Sequence, residues 1–120
     1  ACELINSIYN NKGILMHVNT RNNGTISELP SDCAIEVTSL ITASGAHPLN
    51  IPAIENPAIR GTLQLQKAFE ELTVKAGVEG NYGAALQALT INPLVRKGHI
   101  TKQILDEMIE INKEYLTQFK

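Results

Sequence analysis

The chain has 120 residues, 43% of them hydrophobic and 18% charged, with a formal net charge of −2. That composition fits one folded domain and excludes intrinsic disorder. The 10 basic residues are outnumbered by 12 acidic ones and form no run, which excludes a nucleic-acid binder built on clustered Lys and Arg; no apolar stretch nears the roughly 18 residues of a membrane span.

Ala1, Leu4, Ile5 and Ile8 recur at helical spacing and predict a helix over residues 1–10, stopped at Asn10-Asn11 with Gly13 beyond. No Ser, Thr, Asp or Asn stands ahead of it as a cap, so it reads as a helix continued from something upstream. There is neither a basic n-region nor a long apolar h-region of a signal peptide, and a cytoplasmic location is expected. Ile14 to Val18, bounded by Gly13 and Asn19, predicts a short buried strand. A polar stretch follows from Asn19 to Asp32, with a turn at Asn23-Gly24, where both residues tolerate positive φ. Connections of that length are often functional.

Residues 33–42 alternate with a period of two. Cys33, Ile35, Val37, Ser39 and Ile41 share one face of a half-buried strand, and Ala34, Glu36, Thr38 and Leu40 the other. Ser44-Gly45 turns the chain into a third short strand over 46–50, which His47-Pro48 confines to an edge. Asn56-Pro57 then opens a helix with Asn as cap and Pro in the first turn. Leu65, Phe69, Leu72 and Ala76 form its core-facing stripe, and it is expected to stop between Gly77 and Gly80. Asn81 caps a shorter helix carrying Ala85, Leu86 and Leu89, which Asn92-Pro93 interrupts.

After Gly98, the last helix carries Ile104, Met108, Ile111 and Tyr115 in one stripe and Leu105, Ile109 and Leu116 in another. Asp106, Glu107, Glu110 and Glu114 take its solvent side, in reach of Lys102 and Lys113. This order predicts an α+β fold: a small, mainly antiparallel sheet of two or three strands, packed with long helices around one core.

The chain shows no complete catalytic set. Cys2 and Cys33 read as reduced core residues. His17, His47 and His99 form no metal-ligand pair, and Tyr9, Tyr82 and Tyr115 read as packing residues. No GxGxxG turn follows a strand, so no dinucleotide is expected on this chain alone. The exception is the stretch Asn19-Thr20-Arg21-Asn22-Asn23-Gly24, which a strand positions. Arg21 can clamp a phosphate or carboxylate through parallel hydrogen bonds. Asn19, Asn22 and Asn23 can donate to and accept from sugar hydroxyls. The competing reading is a polar turn in which the Asn residues cap and Arg21 is solvated.

Four stretches carry a resemblance: the helix Ala1-Cys2-Glu3-Leu4-Ile5-Asn6-Ser7-Ile8-Tyr9-Asn10, then Val18-Asn19-Thr20-Arg21-Asn22-Asn23-Gly24 with Leu29-Pro30, then 66–74, and Ala85-Leu86-Gln87-Ala88-Leu89-Thr90-Ile91-Asn92-Pro93-Leu94. Together they resemble the C-terminal portion of the 6-phospho-β-glucosidases of glycoside hydrolase family 4, covering about the last quarter of such an enzyme. The resemblance implies NAD and a divalent metal, usually manganese, as cofactors of the full-length enzyme. It implies oxidation at C3 of the sugar, proton removal at C2 and elimination from C1, in place of a carboxylate pair.

On that resemblance, residues 1–120 are the substrate-side and oligomerisation domain. The dinucleotide-binding domain, the metal-binding Cys and His and the catalytic Tyr all lie upstream. None of the residues present is then catalytic or binds cofactor or metal, and the isolated chain is expected to be inactive. Asn19, Arg21, Asn22 and Asn23 are the expected substrate-binding residues, with a phosphorylated disaccharide or β-glucoside as ligand. The face left by the absent domain is expected to be exposed and apolar, favouring a homo-oligomer. The alternative from another class is a self-standing module that binds a small anion or a partner protein without catalysis.

Overall fold

Alternation of Ile35, Val37, Ser39 and Ile41 builds the centre of the N-terminal part of the molecule, because all four side chains are buried on one face of one strand. The structure, a computed structural model, describes residues 1–95 and 98–119. The chain divides into two compact units, Ala1–Glu55 and Asn56–Lys120, each with buried residues of its own, where the composition suggested a single core.

The first unit comprises α1 (Cys2–Asn10), β1 (Ile14–Arg21), β2 (Ala34–Thr42) and β3 (Gly45–Pro48). The strands form an antiparallel sheet in the order β1-β2-β3. In register, Ile14, Met16, Val18 and Thr20 face Ile41, Ser39, Val37 and Ile35 on the covered side. Leu15, His17, Asn19 and Arg21 face Leu40, Thr38, Glu36 and Ala34 on the other. β1 is therefore longer than the predicted strand over 14–18 and covered on one face only, with Leu15 60% exposed. Asn19, Thr20 and Arg21 join the ladder because β2 supplies backbone partners as far as Ala34; backbone pairing, not side-chain polarity, ends the strand.

α1 packs on β2 with Leu4 half-buried and Ser7 wholly buried, and leaves Ile5, Ile8 and Tyr9 exposed. The apolar spacing thus marks the helix but not its inward side; a small serine lets helix and strand approach. Asn11 ends α1 in the left-handed conformation, φ 50°. Both cysteines are free thiols, but Cys2 is exposed and Cys33 half-buried, so neither is the core residue expected. Cys2 sits in the first turn of α1, away from the side that Ser7 buries.

The second unit comprises α2 (Pro57–Glu79), α3 (Tyr82–Ile91), a 3₁₀ turn (Gly98–Ile100) and α4 (Thr101–Ile111). The Asn56 side chain accepts from the backbone N–H groups of Ala58 and Ile59, and that of Asn81 from Ala84. Ala76, Ala84, Ala85 and Leu105 form the core, with Leu72, Tyr82, Leu86, Leu89, Ile109 and Phe119 packed around it. α4 stops earlier than its apolar pattern, and Asn112 Nδ2 donates to the carbonyl of Met108 at 2.8 Å at its end. Of the two predicted stripes, Leu105 and Ile109 pack inward, whereas Ile111 and Tyr115 are 80% and 82% exposed. Tyr82 is a packing residue as expected; Tyr9 and Tyr115 are not, being exposed.

Candidate functional site

Arg21 is the last residue of β1 and points from the exposed face of the sheet. Asn19 stands two residues back on the same face, about 7 Å along the strand. Among the described residues, no carboxylate pairs with Arg21; the nearest acidic register position is Glu36, opposite Asn19. The guanidinium is thus rooted on rigid backbone with its donors available, and a carboxamide lies beside it.

The chain then enters a loop closed by backbone hydrogen bonds, Asn22 N–H to the Cys33 carbonyl at 2.9 Å and Asn23 N–H to that of Ser31 at 2.8 Å. Asn23 and Gly24 both adopt positive φ, 46° and 85°, as the turn signal required. Asn23 is exposed on the same loop. Asn22 is different, with 0% of its surface accessible. Its Nδ2 donates to the carbonyls of Ile26, Leu29 and Pro30 at 3.0, 3.1 and 2.9 Å, and its Oδ1 accepts from Ile26 N–H at 2.8 Å. The carboxamide is spent on the loop itself, so Asn22 stands inside it while Asn19, Arg21 and Asn23 stand outside.

Sequence reasoning did not single out Glu28. Its Oε1 accepts from the backbone N–H of Ile54 at 2.7 Å, tying the loop to the segment after β3. A long-range contact of this kind leaves no local pattern in the sequence.

Other polar groups gather elsewhere. His47 Nε2 lies 2.8 Å from Ser44 Oγ and 3.0 Å from Thr42 Oγ1 on the β2–β3 hairpin. Tyr82 donates to Asp106 Oδ1 at 2.6 Å, and Lys102 pairs with Asp106 Oδ2 at 2.6 Å. Those hydrogen bonds, Lys102 first, hold the Asp106 carboxyl below its ordinary value of 3.8; in return Asp106 raises Lys102 and Tyr82. The Lys102–Asp106 and Lys113–Glu110 pairs are those the helix spacing predicted. Among the described residues, no three His, Cys, Asp or Glu side chains stand close enough to hold a metal ion, and no helix is long and apolar enough to cross a membrane.

Residues 1–95 match the family 4 glycosyl hydrolase C-terminal domain. The chain belongs to the family 4 glycosyl hydrolases. It is 47% identical over 119 residues, 99% of its length, to a probable 6-phospho-β-glucosidase of Bacillus subtilis (strain 168), and covers 27% of that protein. It is 37% identical over 94% of its length to the phospho-α-glucosidase PagL of Clostridium acetobutylicum, covering 25% of it. A 6-phospho-α-glucosidase from gut microorganisms, solved with NAD and glucose 6-phosphate, superposes with a TM-score of 0.89 at 31% identity, over 98% of this chain and 26% of that one. The 6-phospho-β-glucosidase of Thermotoga maritima, solved with NAD and glucose 6-phosphate, gives 0.79 at 31% identity, over 94% and 28%. This family 4 chain therefore spans about a quarter of the length of the relatives it matches, and its α+β fold is that of their C-terminal portions.

Proposed function

We propose that the chain is the C-terminal part of a 6-phosphoglucosidase, and that the end of β1 with its loop is the part that meets the phosphorylated sugar. The observation that carries this reading is Arg21: a guanidinium without a carboxylate partner among the described residues, at the end of a paired strand, with Asn19 on its face and Asn23 beyond the turn. Arg binds a phosphate through a fixed fork of donors, and Asn can serve either role toward hydroxyls. Asn22 enters the proposal through the loop and not through a ligand contact, because its polar atoms are enclosed.

Among the described residues, no group of His, Cys, Asp and Glu side chains fits the manganese found with two solved relatives. Our reading assigns the metal and NAD to the remainder of the full-length enzyme and holds that the isolated chain is inactive. A sugar phosphate does not cross a bilayer unaided, which supports a cytoplasmic enzyme. Exposed Ile5, Ile8 and Tyr9 on α1, Ile111 at the end of α4 and Tyr115 in the turn beyond it support contact with further protein, either the remaining domain or another subunit.

For the anomer, the 47% relative favours β-glucosides. The α reading has its own support in the TM-score of 0.89 to a 6-phospho-α-glucosidase. Assay of the full-length enzyme, supplied with NAD and Mn²⁺, on the 4-nitrophenyl α- and β-glucoside 6-phosphates decides between them. The proposal expects faster turnover of the β anomer. Turnover of the α anomer alone would reverse the assignment, and activity on neither would remove it.

A further inference from the structure

We propose that Asn22 is a positioning residue for Arg21, holding the loop so that the guanidinium keeps a fixed root; this rests on the reading of Arg21 as the phosphate contact. The two residues are adjacent, yet Arg21 is exposed and Asn22 has 0% accessible surface. One carboxamide donates to three carbonyls, those of Ile26, Leu29 and Pro30, and accepts from Ile26 N–H; the bond to Leu29 is the buried one, while the Ile26 and Pro30 carbonyls also accept from the backbone N–H groups of Leu29 and Cys33. Its main chain joins the same net, with its N–H on the Cys33 carbonyl and its carbonyl accepting from Thr25 N–H at 2.8 Å.

The loop thereby becomes a ring wound on a single side chain. Leu29 is buried beneath it, 8% exposed, and Glu28 ties it to Ile54 from the far side. The residue immediately before the ring is Arg21. Without the carboxamide, the buried Leu29 carbonyl loses its donor and the Ile26 and Pro30 carbonyls keep one backbone partner each, so the loop loosens at the end that holds Arg21. Neither neighbouring asparagine supplies this bracing: Asn23 is exposed and sits on the turn with positive φ, and Asn19 lies two residues back on the ladder.

The role predicts a loss of binding and not of chemistry. The test uses full-length enzyme carrying Asn22→Ala, Arg21→Ala or both, with KM and kcat measured on the better 4-nitrophenyl glucoside 6-phosphate. We expect Asn22→Ala to raise KM about tenfold with kcat within about twofold. In the Arg21→Ala background the same substitution should add less than about twofold, since the residue it serves is gone. An unchanged KM in Asn22→Ala, with a raised KM in Arg21→Ala, overturns the positioning role alone. The full tenfold effect persisting in the double variant overturns it too, because Asn22 would then act by another route. An unchanged KM in Arg21→Ala overturns both this inference and the reading beneath it. Should Asn22→Ala not fold, Asn22→Ser is read by the same criteria; its hydroxyl has a single proton and donates to one carbonyl at most.

Discussion

The Ser7 hydroxyl on α1 donates a 2.9 Å hydrogen bond to the Ile41 carbonyl in β2, and both residues are entirely removed from solvent. This contact seats the helix on the sheet and places a polar side chain where an apolar one would be expected. Ser7→Ala should lower stability by about 1 kcal/mol, the net worth of one buried hydrogen bond. Ser7→Leu should cost more, because the tight approach of helix and strand has no room for the added atoms. Urea unfolding of the two variants measures the order; a Leu variant as stable as wild type would show that the approach is not tight.

The glycines of the second unit allow a contrast of sign. Gly80 closes α2 at φ 65°, and a Cβ there would stand 2.0 Å from the carbonyl oxygen of Gln118. Gly80→Ala should destabilise by about 2 kcal/mol or more, through the left-handed conformation and the displaced backbone. Gly61, inside α2, has nothing within 4 Å of the same position. Gly61→Ala should stabilise by about 1 kcal/mol, the propensity difference in a helix. Thermal melts of the pair check both directions.

The Tyr82–Asp106–Lys102 cluster makes stability depend on pH at two ends. Asp106 is held below its ordinary 3.8, chiefly by the hydrogen bond from Lys102, so its contribution is complete above that value and is lost as pH falls through the lower folded value. Tyr82 and Lys102 are raised above 10.0 and 10.5, chiefly by hydrogen bonds to Asp106, so their contributions are complete below those values and are lost as pH rises further. All three groups are solvent-screened, so the effect should be small. Asp106→Asn should flatten the pH dependence at both ends, and Tyr82→Phe part of each, because the Tyr82 hydroxyl also donates to Asp106. Denaturation midpoints measured across pH read this directly.

Much of the fold was legible because local rules decided it. The caps at Asn56 and Asn81, the period of two in β2 and the Asn23-Gly24 turn each depend on a few neighbouring residues. What the sequence concealed was long-range. Ser7 outranks Ile5 and Ile8 at the helix–sheet contact because it meets a backbone carbonyl 34 residues away. The polar residues Asn19 to Arg21 are strand because β2 has partners for them.

The candidate site divides in the same way. Arg21 and Asn19 could be named as candidates from their chemistry alone. The separation of Asn22 from its neighbours was not, since three asparagines in one stretch look alike until the loop closes around one of them.

The central claim is that Arg21 meets the phosphate of a 6-phosphoglucoside. It is tested most directly by steady-state kinetics of full-length Arg21→Ala on the 4-nitrophenyl glucoside 6-phosphate. A hydrogen bond to a charged group contributes about 1.5–3 kcal/mol, so KM should rise about 10- to 100-fold, with partial recovery in Arg21→Lys. A KM equal to that of the wild type would contradict the account and return the loop to a solvated turn.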